Sequence, residues 1–166
     1  MHKTFLILFT VLGIIFGIVS IGLIVLDFPL IYPVTLILLS AIIDRYDGRL
    51  ARRFRLTSAL GEQLDYVNDI VSFLLAPMVM FVLMGHGPLT RSILIAIMFI
   101  SAGLYRLHRY HINKPSPVFK GIPTTLAGSV VVISTALLSG NAAFTVPLIT
   151  LSLSALMISN VRCKKI

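Results

Sequence analysis

Apolar stretches of about bilayer-crossing length recur along the whole chain, and this feature excludes almost every soluble architecture. A spanning helix needs roughly 20 predominantly apolar residues. The sequence divides at its polar and Gly/Pro interruptions into six such stretches, near Phe5–Leu26, Leu30–Arg53, Leu60–Met84, Arg91–Tyr110, Pro123–Ser139 and Phe144–Val161. Composition agrees: 57% of the 166 residues are hydrophobic and 12% charged, where soluble domains have about half and about a quarter. The expectation is an all-α integral membrane protein of six transmembrane helices. No internal repeat, low-complexity tract or appended soluble segment interrupts residues 1–166, which read as a single domain. The first stretch is expected to be retained rather than cleaved, because its apolar run exceeds the usual ~7–15 residues of a signal peptide and no small-x-small site follows.

Basic residues give the orientation. Lys3, the group Arg49, Arg52, Arg53 and Arg55, the group Arg106, Arg109, Lys114 and Lys120, and finally Arg162, Lys164 and Lys165 fall on one side if the helices alternate. Arg91 falls on the other. Short cytoplasmic loops carry the positive excess, so both termini and the segment 44–69 are expected to face the cytoplasm of a prokaryotic plasma membrane. The net charge of +8 sits at helix ends, where anionic lipid and phosphate groups favour it. Nucleic acid is not an expected partner, since no basic soluble module exists to carry it. Gly13 and Gly17 form a small-xxx-small pair that predicts close helix packing on the first span, and the lone Cys163 cannot form an internal disulfide.

Between two apolar runs stands "DRYDGRLARRFRLTSALGEQLDYVND", residues 44–69. Helical positions three or four apart share a face. Asp44, Asp47, Gly48 and Ala51 therefore form one stripe on the second helix, and Gly61, Asp65 and Asp69 another on the third. Carboxylates alone would serve as partners for nearby arginines. The small residues beside them remove bulk and leave space for a ligand. An Asp within a span costs roughly 2.5–3.5 kcal/mol at mid-helix and less near the interface. Four on two helices require compensation. Hard oxygen ligands converging in this way suit Mg²⁺ or Mn²⁺, and a pair of such ions clamps the attacking and leaving oxygens of a phosphoryl displacement. Arg52, about 80° from Asp44 on the same helix, is placed to bind a phosphate oxygen.

These residues resemble the signature D-x-x-D-G-x-x-A-R-x8-G-x-x-x-D-x-x-x-D of the CDP-alcohol phosphatidyltransferases, matched at Asp44, Asp47, Gly48, Ala51, Arg52, Gly61, Asp65 and Asp69. The resemblance implies a six-helix membrane enzyme, usually a homodimer, that moves a phosphatidyl group from a CDP-linked lipid to an alcohol and releases CMP. It implies that Asp44, Asp47, Asp65 and Asp69 bind a divalent metal pair, with Asp69 also the base on the acceptor hydroxyl. Gly48, Ala51, Arg52 and Gly61 would form the nucleotide and pyrophosphate site. "DYVNDIVSF" and "RLHRYHINKPSPVFKGIPTTLAG" are similar to the phosphatidylserine synthase branch, which implies L-serine as acceptor and CDP-diacylglycerol or CDP-archaeol as donor. The chain departs from that branch at Leu74, at Tyr110-His111, at Thr125, and at Gly13, where relatives often place an Asn.

Serine brings a carboxylate, and Arg106 and Arg109, one turn apart, are candidates to grip it by paired hydrogen bonds. Lys120 is a candidate for headgroup phosphate. The alternative acceptors are glycerol phosphate and inositol phosphate. A different class of function, a divalent-cation transporter using the same carboxylates, would want them near the bilayer midplane and often a repeated half, whereas these lie at one end of their helices.

Overall fold

In hydrocarbon a backbone must satisfy its own polar groups, and an apolar run does so by winding into a helix. In the computed structural model each of the six expected stretches holds one. The structure describes residues 2–53, 59–112, 119–138, 144–159 and 162–163, and no side chain of 2–6, 51–53, 59, 111–112, 119–120 or 162–163. The helices are α1 (His2–Val25), α2 (Ile31–Arg53), α3 (Ala59–Asn68), a π-helical segment π1 (Asp69–Leu75), α4 (Ala76–Leu83), α5 (Leu89–Ile112), α6 (Thr124–Leu137) and α7 (Thr145–Ile158). The two-residue strand Phe119–Lys120 pairs antiparallel with Arg162–Cys163, Phe119 opposite Cys163 and Lys120 opposite Arg162. The expected span ends at Ser139 and Val161, and residues 113–118 with their two prolines, lie outside the described residues.

Among the described residues three helical stretches are long and apolar enough to cross a membrane, Ile7–Val25, Leu60–Leu83 and Leu89–Tyr110, while Thr124–Leu137 and Thr145–Ile158 are shorter apolar helices. The second expected span does not reach that standard because charges crowd its last third: Asp44, Arg45, Asp47, Arg49, Arg52 and Arg53 all follow Ile43. Leu8, Ile15, Ile18 and Val19 on α1, and Ile93, Leu94, Ile97 and Met98 on α5, are exposed. Large apolar side chains on the outside are what a lipid solvent calls for.

The chain divides into two compact units, Met1–Ala76 and Pro77–Ile166. In the first, α1 packs on α2, α3 and π1. Its turn from α1 to α2 is a Schellman closure: Phe28 N donates to Leu23 O at 3.0 Å and Asp27 N to Ile24 O at 3.2 Å. Asp27 takes the left-handed position at φ 56°, which short polar side chains tolerate, and Pro29 prevents the helix from continuing.

The interior of this unit contains small hydroxyls: Ser20, Ser40 and Ser72 are fully buried. Small residues let backbones approach, and Gly17 shows how closely. A Cβ placed on Gly17 would overlap Ser72 Oγ and lie 3.0 Å from Val71 Cγ1. The expected close packing of the Gly13/Gly17 pair is thus directed at the third helical stretch, Gly13 at Asn68 of α3 and Gly17 at π1. Gly17→Val is therefore expected to cost about 1–3 kcal/mol by overpacking, read as a lower melting temperature in detergent; an unchanged melt would contradict this close approach.

In the second unit α7 packs on α5 and α6, around buried Phe99, Val131, Val146 and Met157. Gly121, at φ 81°, brings the chain against the end of α7, where a Cβ would meet Met157 O at 2.6 Å. His86, in the turn between α4 and α5, is buried and stacks on Phe81 with ring centroids 5.6 Å apart. Burial pushes its imidazole below the usual histidine range, which keeps it neutral. Its backbone carbonyl accepts from Arg91 Nη2 at 2.6 Å.

Candidate metal and active site

The site is built where α2 and α3 present their carboxylates. Asp44 and Asp47 are one turn apart on α2, and Asp65 lies on α3 one turn before Asp69, the first residue of π1. A carboxylate oxygen from each of Asp44, Asp47 and Asp65 lies within 4.8 Å of the others. The Asp44 and Asp65 side chains, on different helices, share a hydrogen bond, and Asp69 and Asp47 both act electrostatically on Asp44. Asp44, Asp47 and Asp65 thus stand together, and Asp69 lies outside that group of three while acting electrostatically on Asp44. Asp47 is the buried member and Asp65 the exposed one, so the cluster runs from the interior to an open side.

A divalent cation fits this donor set. Three carboxylate oxygens within 4.8 Å of one another are close enough for one cation with bonds of 2.0–2.1 Å to be reached from all three by side-chain rotation. A doubly charged cation offsets the mutual repulsion of carboxylates gathered this closely. The donors are all hard oxygens, which select Mg²⁺ or Mn²⁺ over softer metals.

The neighbouring polar residues were not singled out in the sequence. Thr10 Oγ1 on α1 donates to Asp47 Oδ2 at 3.0 Å, which orients that carboxylate from a third helix. Asn68 is 1% exposed, and its Oδ1 accepts from Ser72 Oγ at 3.0 Å and Ser40 Oγ at 3.3 Å. Both hydroxyls also stand 3.3 Å from the Gly13 carbonyl. A signal existed: Asn68 and Ser72 are four apart on an apolar stretch, and a carboxamide there is costly without a partner.

The winding changes at this point. Ala76 N–H bonds to Val71 O, five residues back, and such π turns within helices concentrate at functional sites. Because π1 begins at Asp69, the α-helical spacing that puts Gly61, Asp65 and Asp69 on one face is undisturbed. Gly48 and Gly61 are half-buried on the same two helices, and the side chains of Ala51 and Arg52 lie outside the described residues.

The other candidates belong to the second unit. Arg106 is 8% exposed, and its Nη1 donates to Thr124 Oγ1 at 3.3 Å. Arg109 donates to the carbonyls of Ile158 at 3.3 Å and Ser159 at 3.4 Å, closing the C-terminal end of α7, and its guanidinium carbon lies 5.8 Å from the Tyr105 ring centroid. Two arginines that look equivalent in sequence therefore differ: one is buried beside α6, the other caps α7. Lys120 lies in the short strand, and its side chain is outside the described residues.

A family model for the CDP-alcohol phosphatidyltransferases matches residues 7–158. The chain belongs to the CDP-alcohol phosphatidyltransferase family. It is an integral membrane protein, and its acidic cluster is a site of the kind the family's divalent metal needs. The CDP-diacylglycerol–serine O-phosphatidyltransferase of Helicobacter pylori is 30% identical over 165 residues, covering 93% of this chain and 69% of the relative. A protein of the same name from Methanocaldococcus jannaschii is 35% identical over 103 residues, covering 62% of this chain and 46% of the relative. Another from Bacillus subtilis is 32% identical over 93 residues, covering 55% and 52%.

Proposed function

We propose that this CDP-alcohol phosphatidyltransferase transfers a phosphatidyl or archaetidyl group from a CDP-linked lipid to L-serine and releases CMP. The observation that carries the reaction class is the cluster of Asp44, Asp47 and Asp65 within 4.8 Å in a chain whose family is known. The relatives from a bacterium and an archaeon, both named for serine transfer, support the acceptor.

Asp44, Asp47, Asp65 and Asp69 hold Mg²⁺ or Mn²⁺, two ions in this reading. A divalent cation bound there polarises phosphoryl oxygens and offsets charge on the leaving nucleotide. Asp69 accepts the proton of the serine hydroxyl, whose oxygen forms a bond to the lipid-side phosphorus as the bond to the CMP oxygen breaks. Thr10 keeps Asp47 turned toward the cluster. Gly48, Ala51 and Gly61 leave room for the nucleotide, and Arg52 pairs with its phosphates. Arg106 holds the serine carboxylate; Arg109, engaged with the end of α7, is the weaker candidate for that task, and Lys120 meets headgroup phosphate. No protein nucleophile is required.

The chain crosses the membrane six times, works as a homodimer, and opens its site to the cytoplasm. Single cysteines placed at residues 49–55, 111–120 or either terminus, in a Cys163→Ser background, are expected to react with impermeant reagents from the cytoplasmic side alone. Labelling of position 114 from outside would overturn this topology. The reaction itself is tested by incubating purified protein with a CDP-lipid, Mn²⁺ and separately serine, glycerol phosphate or inositol phosphate. Serine-dependent CMP release is expected. Release with glycerol phosphate alone would keep the reaction class and change the acceptor.

A further inference from the structure

Asn68 sits where α1 meets the two helices that carry the carboxylates, α2 and α3, and its surroundings assign it a task. It directly precedes Asp69 and lies one turn after Asp65, and Ser40, which donates to its amide oxygen, lies one turn before Asp44. The amide therefore ties α2 to α3 beside the carboxylates, one turn before Asp44 on α2 and between Asp65 and Asp69 along the third helical stretch. From the third side α1 supplies the socket. A Cβ on Gly13 would lie 3.0 Å from Asn68 Oδ1 and 3.3 Å from its Nδ2, so the amide rests directly on the glycine. Along α1 the order is consistent: Thr10 meets Asp47, Gly13 meets Asn68, and Gly17 meets Ser72. Each contact lies one turn further from the carboxylates.

Local hydrogen bonding does not account for an asparagine here. Its Nδ2 donors have no partner among the described residues, and a buried amide with empty donors is costly compared with an apolar side chain of similar size. What an apolar side chain would not supply is the directional tie to Ser40 and Ser72.

We infer that Asn68 is a positioning residue for the metal site: seated on Gly13 and bonded to Ser40, it sets the separation between the α2 carboxylates Asp44 and Asp47 and the α3 carboxylates Asp65 and Asp69. This rests on the reading of those aspartates as metal ligands, and it requires that the amide occupy that space whichever helix it comes from. Gly13→Asn combined with Asn68→Ala delivers the amide from α1 into the room vacated on α3.

The test titrates detergent-purified protein with Mn²⁺ alone, following free Mn²⁺ by electron paramagnetic resonance, and separately measures CMP release against Mn²⁺ and against serine. Asn68→Ala is expected to weaken Mn²⁺ binding at least about tenfold and to raise by a similar factor the Mn²⁺ needed for half-maximal rate, a loss of about 1.4 kcal/mol per tenfold. The serine KM at saturating Mn²⁺ stays within about twofold, which separates positioning of the metal ligands from general loosening. The exchange variant is expected to recover Mn²⁺ affinity to within about threefold of wild type.

Wild-type Mn²⁺ affinity in Asn68→Ala, or no recovery in a folded exchange variant, overturns the inference. If Asn68→Ala does not fold, the exchange variant carries the test, and its failure to fold as well also overturns it. A wild-type protein that binds no Mn²⁺ overturns the metal reading and this inference together, whereas one that binds Mn²⁺ but ignores serine overturns only the proposed acceptor.

Discussion

Asp69→Asn is expected to lower the rate of CMP release by about 10³-fold or more while the protein still inserts and folds. The substitution keeps the shape of the side chain and removes its charge and its basicity. A general base contributes about 10²–10⁴-fold on its own, and loss of a carboxylate ligand adds to that through weaker stabilisation of the departing phosphate. Folding should survive. Asp69 is only half-buried at the start of π1, and its electrostatic effect on Asp44 is that of a like charge; removing it relieves repulsion when no cation is bound. The expected signature is therefore an unchanged or higher melting temperature without metal, together with a collapsed kcat. A folded variant retaining kcat within about tenfold of wild type would show that the proton goes elsewhere. Asp47→Asn offers a contrast, because Thr10 still holds that side chain at 3.0 Å in the parent, so its loss should fall mainly on metal affinity.

How much of this was legible in the sequence depended on whether a feature repeats with a simple period. The apolar stretches did, and each holds a helix. Helical spacing was enough to put Asp44 with Asp47 on one face and Gly61 with Asp65 and Asp69 on another, because the α-helix persists through Asn68, and Asp44, Asp47 and Asp65 do come together. The π turn from Asp69 onward left no mark in the pattern. Within it Val71 and Ser72 lie against Gly17, a contact between residues more than fifty positions apart. Asn68 escaped for a similar reason. Its partners are one serine on its own helix, one on α2 and a glycine on α1, and a glycine announces an absence of side chain without saying what fills the space. The two arginines of α5 show the converse difficulty. Arg106 and Arg109 share a face and a charge, and helical spacing alone cannot distinguish the one buried against Thr124 from the one that caps α7.

That difference makes the acceptor assignment testable. Arg106→Lys is expected to raise the serine KM about 10–100-fold, whereas Arg109→Lys should change it little and instead lower stability through weaker capping of α7. A guanidinium carries five donors in a fixed plane and grips both oxygens of a carboxylate through two of them in parallel. A lysine ammonium concentrates its three donors on one atom and cannot span both. Hydrogen bonds to a charged partner are worth about 1.5–3 kcal/mol each, and the loss of one sets the expected factor. The KM for the CDP-lipid should move much less, since its phosphates are assigned to the carboxylate-bound metal and Arg52. Ethanolamine, which has the hydroxyl and the amine of serine without the carboxylate, should be a very poor acceptor for the parent enzyme, because Arg106 would be left buried without that partner. Equal turnover of serine and ethanolamine would refute the carboxylate grip. If instead Arg109→Lys raised the serine KM and Arg106→Lys did not, the grip would stand and pass to Arg109, which would then have to release the carbonyls of Ile158 and Ser159 to make it.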